Sequence, residues 1–170
     1  TIPVIVYTNA AKVELFLNDK SLGEKNFDIK TASDLHLRWN VKYEPGTLKA
    51  VAKNKDGNVI ATDIVKTTGD AQQIILKSNR GTVKSDGKDL AFIEADIADG
   101  YGLTCPDAAN RVTFNVENGT VIGYDNGDPT DFDSYIENGR RAFSGKCMAV
   151  VRPDESGKPI TVTATSKTDA

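Results

Sequence analysis

The sequence has 170 residues, of which 39% are hydrophobic and 26% charged, and its formal net charge is −3 at pH 7. This apolar content is enough to fill a core, which excludes a chain that stays disordered. The 21 lysines and arginines are scattered along the sequence, so no continuous basic track is available for a phosphate backbone, and nucleic acid is not an expected partner.

The first third of the sequence has apolar residues at every second position, a period typical of half-buried β-strands. One such run covers residues 13–17, and the Asn18-Asp19 pair that follows tolerates positive φ angles, so a hairpin is predicted there. In residues 37–41 the apolar side chains share one face, which places the indole of Trp39 in a core. These patterns predict antiparallel strands joined by short turns.

A second hairpin is predicted from residues 49–53 and 59–65, which flank the turn sequence Lys55-Asp56-Gly57-Asn58. Polarity then rises, and a new series of strand patterns starts at Gln73, so a domain boundary is expected within residues 68–78. We place it so that residues 1–72 form the first domain and residues 73–170 the second.

The second domain is also predicted to consist of strands. Alternating or β-rich runs cover residues 73–77, 91–97, 112–116, 146–152 and 160–164. No convincing amphipathic helix pattern occurs in the sequence. The expected fold class is therefore all-β, with two antiparallel β-sandwiches in tandem, each of an ordinary domain size.

Residues 119–145 differ from their surroundings because glycines interrupt them throughout. Four aspartates, Asp125, Asp128, Asp131 and Asp133, lie in the middle of this segment. We expect a long, structured loop here, rather than strands.

The sequence offers little to a nucleophilic or glycosidic mechanism. The only histidine is His36, and alternation puts it on the face opposite Trp39, so most catalytic triads and most zinc sites are excluded. Glu94 and Asp96 have a separation compatible with a glycosidase pair. They lie on the polar face of their strand, where nothing is expected to raise the pKa of a proton donor. We therefore predict no catalytic residue, no metal site and no cofactor.

The aspartate-rich segment allows several interpretations. Its oxygen atoms could bind calcium, but its spacing departs from the helical calcium loop, and a rigid turn made by Asp and Asn side chains is favoured. Arg140 and Arg141 could bind an anion, or they could pair with the acidic residues. A sugar would need an aromatic platform, for which Tyr124, Phe132 and Tyr135 are candidates. The candidate ligand-binding residues are Tyr124, Asp125, Asn126, Asp128, Arg140 and Arg141.

The two cysteines, Cys105 and Cys147, are too few for a disulfide scaffold and lack metal-ligand spacing. Free, partly buried thiols and a single inter-strand bridge are the alternatives. No segment reaches the roughly 20 apolar residues of a membrane span, and Thr1–Val4 does not resemble a signal peptide. Both ends, including residues 167–170, are expected to be cut points in a longer protein, so an export signal could lie upstream.

Several segments resemble the C-terminal accessory domains of glycoside hydrolase family 2 β-galactosidases. Residues 6–10, 13–23 and 39–50 resemble the first of these domains. The final accessory domain is similar in residues 89–93, 110–114, 123–129 and 140–146. Residues 98–106 depart from the usual Asp-x-x-Gly turn of that domain, and the Asn126-Gly127-Asp128-Pro129 segment has no role that the resemblance transfers.

The resemblance implies two immunoglobulin-like domains that are not catalytic themselves. It places the catalytic carboxylates on a (β/α)8 barrel outside this sequence, with the sugar-binding, immunoglobulin-like and barrel domains of the parent hydrolase as partners. It also implies a bacterial periplasmic or cell-surface location. The expected role is to support the barrel, and a carbohydrate-binding module that uses residues 123–141 is the alternative.

Overall fold

The computed structural model describes residues 1–166, and over that range it is built from β-strands without an α-helix. It divides into two compact units, residues 1–67 and the residues from Thr68 onward. The strands are β1 (Ile2–Val6), β2 (Lys12–Leu17), β3 (Lys20–Asn26), β4 (Leu37–Val41), β5 (Thr47–Lys53), β6 (Val59–Lys66), β7 (Gln73–Ser78), β8 (Ala91–Ala98), β9 (Arg111–Glu117), β10 (Gly119–Asp125), β11 (Arg140–Arg141), β12 (Lys146–Pro153) and β13 (Thr161–Ser166).

The first unit is a β-sandwich with sheets of unequal size. Strands β3-β2-β5-β6 form a four-stranded antiparallel sheet, and β1 and β4 form an antiparallel two-stranded sheet. The core contains the inward residues of β2 and β4, and inward residues of β1 and β5 pack around them. Its buried members are Val13, Leu15, Leu37, Trp39 and Val41. The predicted alternation of residues 37–41 is thereby confirmed.

The β2–β3 hairpin forms as predicted at Asn18-Asp19, whose φ angles are 50° and 63°. Asn18 also fixes the neighbouring turn, because its side chain donates to the Pro45 carbonyl (3.0 Å) and accepts from the Thr47 amide (2.9 Å). Gly46 has φ 139°, and a Cβ there would lie 1.8 Å from Asn18 Oδ1. Only glycine fits this position, because a side chain would displace the asparagine that joins the two turns.

The second unit is a sandwich of a four-stranded and a three-stranded antiparallel sheet. The strand orders are β10-β12-β8-β7 and β11-β9-β13. Alternate residues of β8, β9 and β12 face inward and are almost fully buried, among them Ala95, Val112 and Val151. The all-β fold class predicted from the sequence is therefore confirmed, as two β-sandwiches in tandem.

The structure corrects the expectation of a continuous loop over residues 119–145. Strand β10 occupies the first seven of these residues and pairs with β12, with a bulge between Val121 and Gly123. A bulge accommodates the glycine-interrupted pattern, and Val121 and Tyr124 supply the β-rich side chains of a strand. The two residues of β11 pair with β9, so the loop itself covers residues 126–139.

Strand β1 was also absent from the sequence-based prediction, although residues 2–6 are rich in β-branched side chains. The unit boundary at Thr67 and Thr68 lies near the start of the range within which the boundary was expected. Residues 167–170, which end the predicted second domain, lie outside the described residues. Among the described residues, no helix is long and apolar enough to cross a membrane.

Both cysteines are buried and free. Burial raises the pKa of the Cys147 thiol to about 12, and it also raises the pKa of the Cys105 thiol. The thiols therefore stay protonated at neutral pH and behave as small apolar side chains, because the thiolate is the reactive form.

Shortening a fully buried side chain of the first unit tests the predicted core. We expect Leu15→Ala to lower the free energy of unfolding by about 2–5 kcal/mol, because it removes packed methyl groups and leaves a cavity. Leu35→Ala is the matched control, since Leu35 is exposed, and it should change stability by less than about 0.5 kcal/mol. Chemical denaturation measures both, and equal effects of the two variants would contradict the core assignment.

Candidate functional site

The acidic pair Glu94 and Asp96 lies on the outward face of β8, as alternation predicts. Asp96 is nevertheless buried, with only 1% of its surface exposed. Lys77 of β7 and Lys146 of β12 cover it, at 2.5 Å and 2.6 Å from its two carboxylate oxygens. Lys146 also contacts Glu94 Oε1 at 2.6 Å. The pair is thus part of an ion-pair network that links three adjacent strands.

The electrostatics of this network do not suit a proton donor. Burial opposes ionisation of Asp96, but the hydrogen bonds from Lys146 and Lys77 outweigh it and lower the pKa of the carboxyl. The hydrogen bonds of Lys146 to Asp96 and Glu94 raise the pKa of its ammonium group. A glycosidase acid needs a raised pKa, so Asp96 is held in the wrong protonation state for that role, with both oxygens occupied.

The loop of residues 126–139 is stiffened by short side-chain turns. The side chain of Asn126 accepts from the Asp128 amide (3.0 Å), Asp128 accepts from the Thr130 amide (2.8 Å), and Asp131 accepts from the Asp133 amide (2.9 Å). Each bond joins a residue to the second residue after it, which is the Asx-turn pattern. The side-chain oxygens of Asn126, Asp128 and Asp131 therefore form turns within the loop.

A buried arginine, Arg140, holds the loop against the rest of the second unit. Arg140 is 1% exposed, and its Nε lies 3.1 Å from Asp131 Oδ2, an ion pair without hydrogen-bond alignment. Its Nη1 donates to the Asp133 carbonyl at 2.6 Å, and its guanidinium stacks 4.9 Å from the ring centre of Tyr135. One side chain therefore contacts three points along the loop from inside.

Further contacts brace the same loop. Arg111 Nη1 lies 2.6 Å from Asp133 Oδ2, and the amide of Asn126 donates to Asp131 (2.6 Å) and to the Arg141 carbonyl (2.9 Å). The Asp133 amide, with help from Asn126 and nearby arginines, lowers the pKa of the Asp131 carboxyl. In residues 1–166 no group of three His, Cys, Asp or Glu side chains is arranged to hold a metal ion.

The predicted ligand-binding residues are not gathered at one surface. Tyr124 is buried against Phe114, with ring centres 5.8 Å apart, and Arg140 is buried as described. Asp125 and Arg141 are exposed, whereas Asn126 and Asp128 are half-buried. Asp125 and Asn126 border a shallow depression of about 310 Å³ that they share with Glu94 and Lys146.

The exposed apolar surface of the loop lies at its tip. Phe132 is 99% exposed and Ile136 is 80% exposed, and the ring of Tyr135 is partly accessible beside them. Phe132 and Tyr135 were candidates from the sequence, but Ile136 was not. An apolar residue within an otherwise acidic, glycine-rich segment is the signal that could have identified it.

Asp99 is a buried carboxylate that the sequence analysis did not single out. It accepts hydrogen bonds from the amides of Gly69, Tyr101 and Leu103, each at 2.9 Å. These backbone bonds lower its pKa and close the turn of residues 98–104. Its role is structural, because the three amides occupy the carboxylate.

Sequence comparison identifies two matching families. Residues 74–169 match the family described as glycoside hydrolase family 2 C-terminal domain 5, and residues 1–61 match a domain of unknown function (DUF4982). A similar curated protein is the β-galactosidase BoGH2A of Bacteroides ovatus, 41% identical over 95% of this chain and 19% of its own length. A putative β-glucuronidase of Formosa agariphila is 31% identical over 84% of this chain and 18% of its own length.

Solved structures of similar fold belong to the same class of proteins. A glycosyl hydrolase family 2 member from Bacteroides cellulosilyticus matches 97% of this chain and 22% of its own with a TM-score of 0.91 and 35% identity. A β-glycosidase from Bacteroides vulgatus matches 97% of this chain and 21% of its own with a TM-score of 0.89 and 37% identity. The chain therefore spans about a fifth of the length of these relatives.

The lysine-covered carboxylate makes a pH-dependent contribution to stability that can be measured. Because the pKa of Asp96 is lower in the folded state, its contribution is present above about pH 3.9, the unfolded value, and is lost as the pH falls below it. We expect Asp96→Asn to cost about 1–2 kcal/mol at pH 6 and to flatten the acid side of the profile of melting temperature against pH. The control Asp107→Asn, at an exposed residue, should leave that profile unchanged, and a steep acid limb kept by Asp96→Asn would contradict the assignment.

Proposed function

The chain belongs to the glycoside hydrolase family 2 C-terminal domain 5 family, and we propose that it is a non-catalytic accessory part of a β-galactosidase-type glycoside hydrolase. In this proposal the two sandwiches pack against the body of the parent enzyme and help to hold its quaternary arrangement. Bond cleavage takes place elsewhere in the parent protein.

The observation that carries the proposal is the state of the acidic pair. Glu94 and Asp96 share Lys146, and Asp96 is buried beneath a second lysine with a lowered pKa. A retaining or inverting mechanism needs one carboxyl that stays protonated beside another that is free to attack or to activate water. Neither role is open to carboxylates that are already neutralised by lysines in the folded protein.

The length of the relatives supports an accessory role. The β-galactosidase of Bacteroides ovatus and the β-glycosidase of Bacteroides vulgatus are each about five times longer than the region that matches this chain. We propose that the remaining length of the parent supplies the barrel with the catalytic carboxylates, together with sugar-binding and further immunoglobulin-like domains. These domains are the expected partners of the chain. Since the relatives are bacterial, we also propose a periplasmic or cell-surface location for the parent.

A second candidate function is carbohydrate binding at the loop tip. Phe132 is almost fully exposed, and Tyr135 lies close to it along the loop. Exposed aromatic rings on a braced loop suit stacking against a sugar ring, and the Thr130 hydroxyl and nearby carboxylates could supply hydrogen bonds. Of the residues first considered for this role, Asp125, Asn126, Asp128 and Arg141 are the ones with accessible side chains.

A direct activity assay tests the non-catalytic proposal. We expect the purified chain to release no nitrophenol from chromogenic β-galactosides or β-glucuronides above the buffer rate, because Glu94 and Asp96 are paired with lysines and are not free to act as a glycosidase pair. An active β-galactosidase in the same buffer is the positive control. Hydrolysis that persists through purification and disappears in Glu94→Gln would contradict the proposal.

Affinity electrophoresis through gels that contain plant polysaccharides separates the two candidate functions. For an accessory module we expect equal mobility in gels with and without polysaccharide. Retardation that Phe132→Ala abolishes would instead support the binding function. The matched control is Phe143→Ala, since Phe143 is a partly exposed phenylalanine outside the loop, and it should not change mobility in either case.

A further inference from the structure

The two sheets of the first unit do not match in width. Four strands, β3-β2-β5-β6, face a sheet that consists of β1 and β4 among the described residues. Trp39 and Val41 of β4 lie beside Leu17 and Leu22 of β2 and β3, so β4 covers the β3 side of the larger sheet. Strand β1 is the next strand of the smaller sheet, and nothing in residues 1–67 continues that sheet over β6.

The inner face of β6 shows the consequence of this gap. Val65 pairs with the core-facing Leu48 and therefore points to the same side of the sheet, yet it is 63% exposed. Asp63 pairs with Ala50 and faces the same way, and it is also exposed. In a filled sandwich, residues on this side of a strand are covered by the opposite sheet.

In the second unit, a further strand occupies the corresponding place. There β8 pairs with β12 on one edge and with β7 on the other. In the first unit β1 pairs with β4 in the same antiparallel way, and both β1 and β8 precede a strand that belongs to the opposite sheet. Strand β1 therefore corresponds to β8, and the partner that corresponds to β7 would come before β1 in the chain.

We propose that the first unit is completed by a seventh strand, formed by residues that precede Thr1 in the parent protein and paired antiparallel with the free edge of β1. The strand would lie over β6 and bury Val65. This rests on the proposed function only in treating the chain as part of a longer protein, which the fivefold length of the relatives supports. Edge strands that remain open tend to pair with other chains, and a strand from the same protein removes that hazard.

Backbone geometry identifies the atoms that would accept the new strand. Pro3 is opposite Asn40 and has no N–H to donate to β4, so this position suits a pair that is not hydrogen-bonded, and Pro3 offers only its carbonyl to the free edge. The pairing of an antiparallel ladder alternates, so Ile5 belongs to the same class, and its N–H faces the free edge. The carbonyl of Arg38, which is opposite Ile5, accepts a hydrogen bond from Lys25 Nζ at 2.5 Å and not from β1. This agrees with a pair that is not hydrogen-bonded. The Val4 amide faces β4.

Amide hydrogen exchange measured by NMR tests the proposal. It compares the 170-residue chain with a longer chain that starts about 20 residues earlier in the parent gene. We expect the Ile5 amide to exchange at least about tenfold more slowly in the longer chain, because it gains a hydrogen bond. The Val4 amide is the internal control and should be protected in both chains.

A pair of substitutions on β6 supplies a second, independent readout. Val65→Asp should lower the melting temperature of the longer chain by several degrees but scarcely change the 170-residue chain, in which Val65 is already exposed. Thr62→Asp is the matched control, because Thr62 pairs with Val51 on the outer face, and its effect should be small in both chains.

Three outcomes would overturn the proposal. The first is an Ile5 amide that exchanges equally fast in both chains, and the second is a Val65→Asp effect that does not depend on chain length. The third is protection of Ile5 in the longer chain that disappears on dilution, since this would show a second copy on the edge. Each is independent of the nitrophenol assay, so failure of this inference and failure of the non-catalytic proposal are distinguishable.

Discussion

Both cores depend on one constraint, which is that a β-strand turns successive side chains to opposite faces of its sheet. In β2 and β8 this rule puts every second residue into a core and leaves the others to the outer face. A slip of one residue would exchange the two sets, so the register of these strands is fixed by the energy of burial. The turn at Asn18 and Gly46 then sets where the neighbouring strands begin.

The outer faces and loops are organised by charged groups that have been removed from water. Asp96, Asp99 and Arg140 are almost fully buried, and such groups are tolerated when their hydrogen-bonding and charge needs are met. Lysines neutralise Asp96, whereas backbone amides donate hydrogen bonds to Asp99. Arg140 forms an ion pair with the Asp131 carboxylate and donates to the Asp133 carbonyl. These buried charges hold strands and loops in place.

This distribution is consistent with a module whose contribution to a larger protein comes from its surfaces. Arg140 braces the loop of residues 126–139 from inside, so that its apolar tip is presented on a stiff support rather than on a mobile segment. In the first unit, the free edge of β1 and the exposed inner face of β6 form a different kind of surface, which fits a strand. The two features lie in separate units and support separate proposals.

Patterns in the sequence were enough to predict most of the strands, the hairpin at Asn18-Asp19, the all-β class and the resemblance to a hydrolase family. These features follow from local patterns, because alternation and turn chemistry act between residues close in the chain. The folded chain was needed to show that Tyr124 and Arg140 are buried while Phe132 is exposed, that residues 119–125 form a strand, and that Asp96 lies beneath two lysines. These outcomes depend on pairing between distant residues, such as Asp96 with Lys146 and β10 with β12, and periodicity along one segment carries no information about which distant segment will lie beside it.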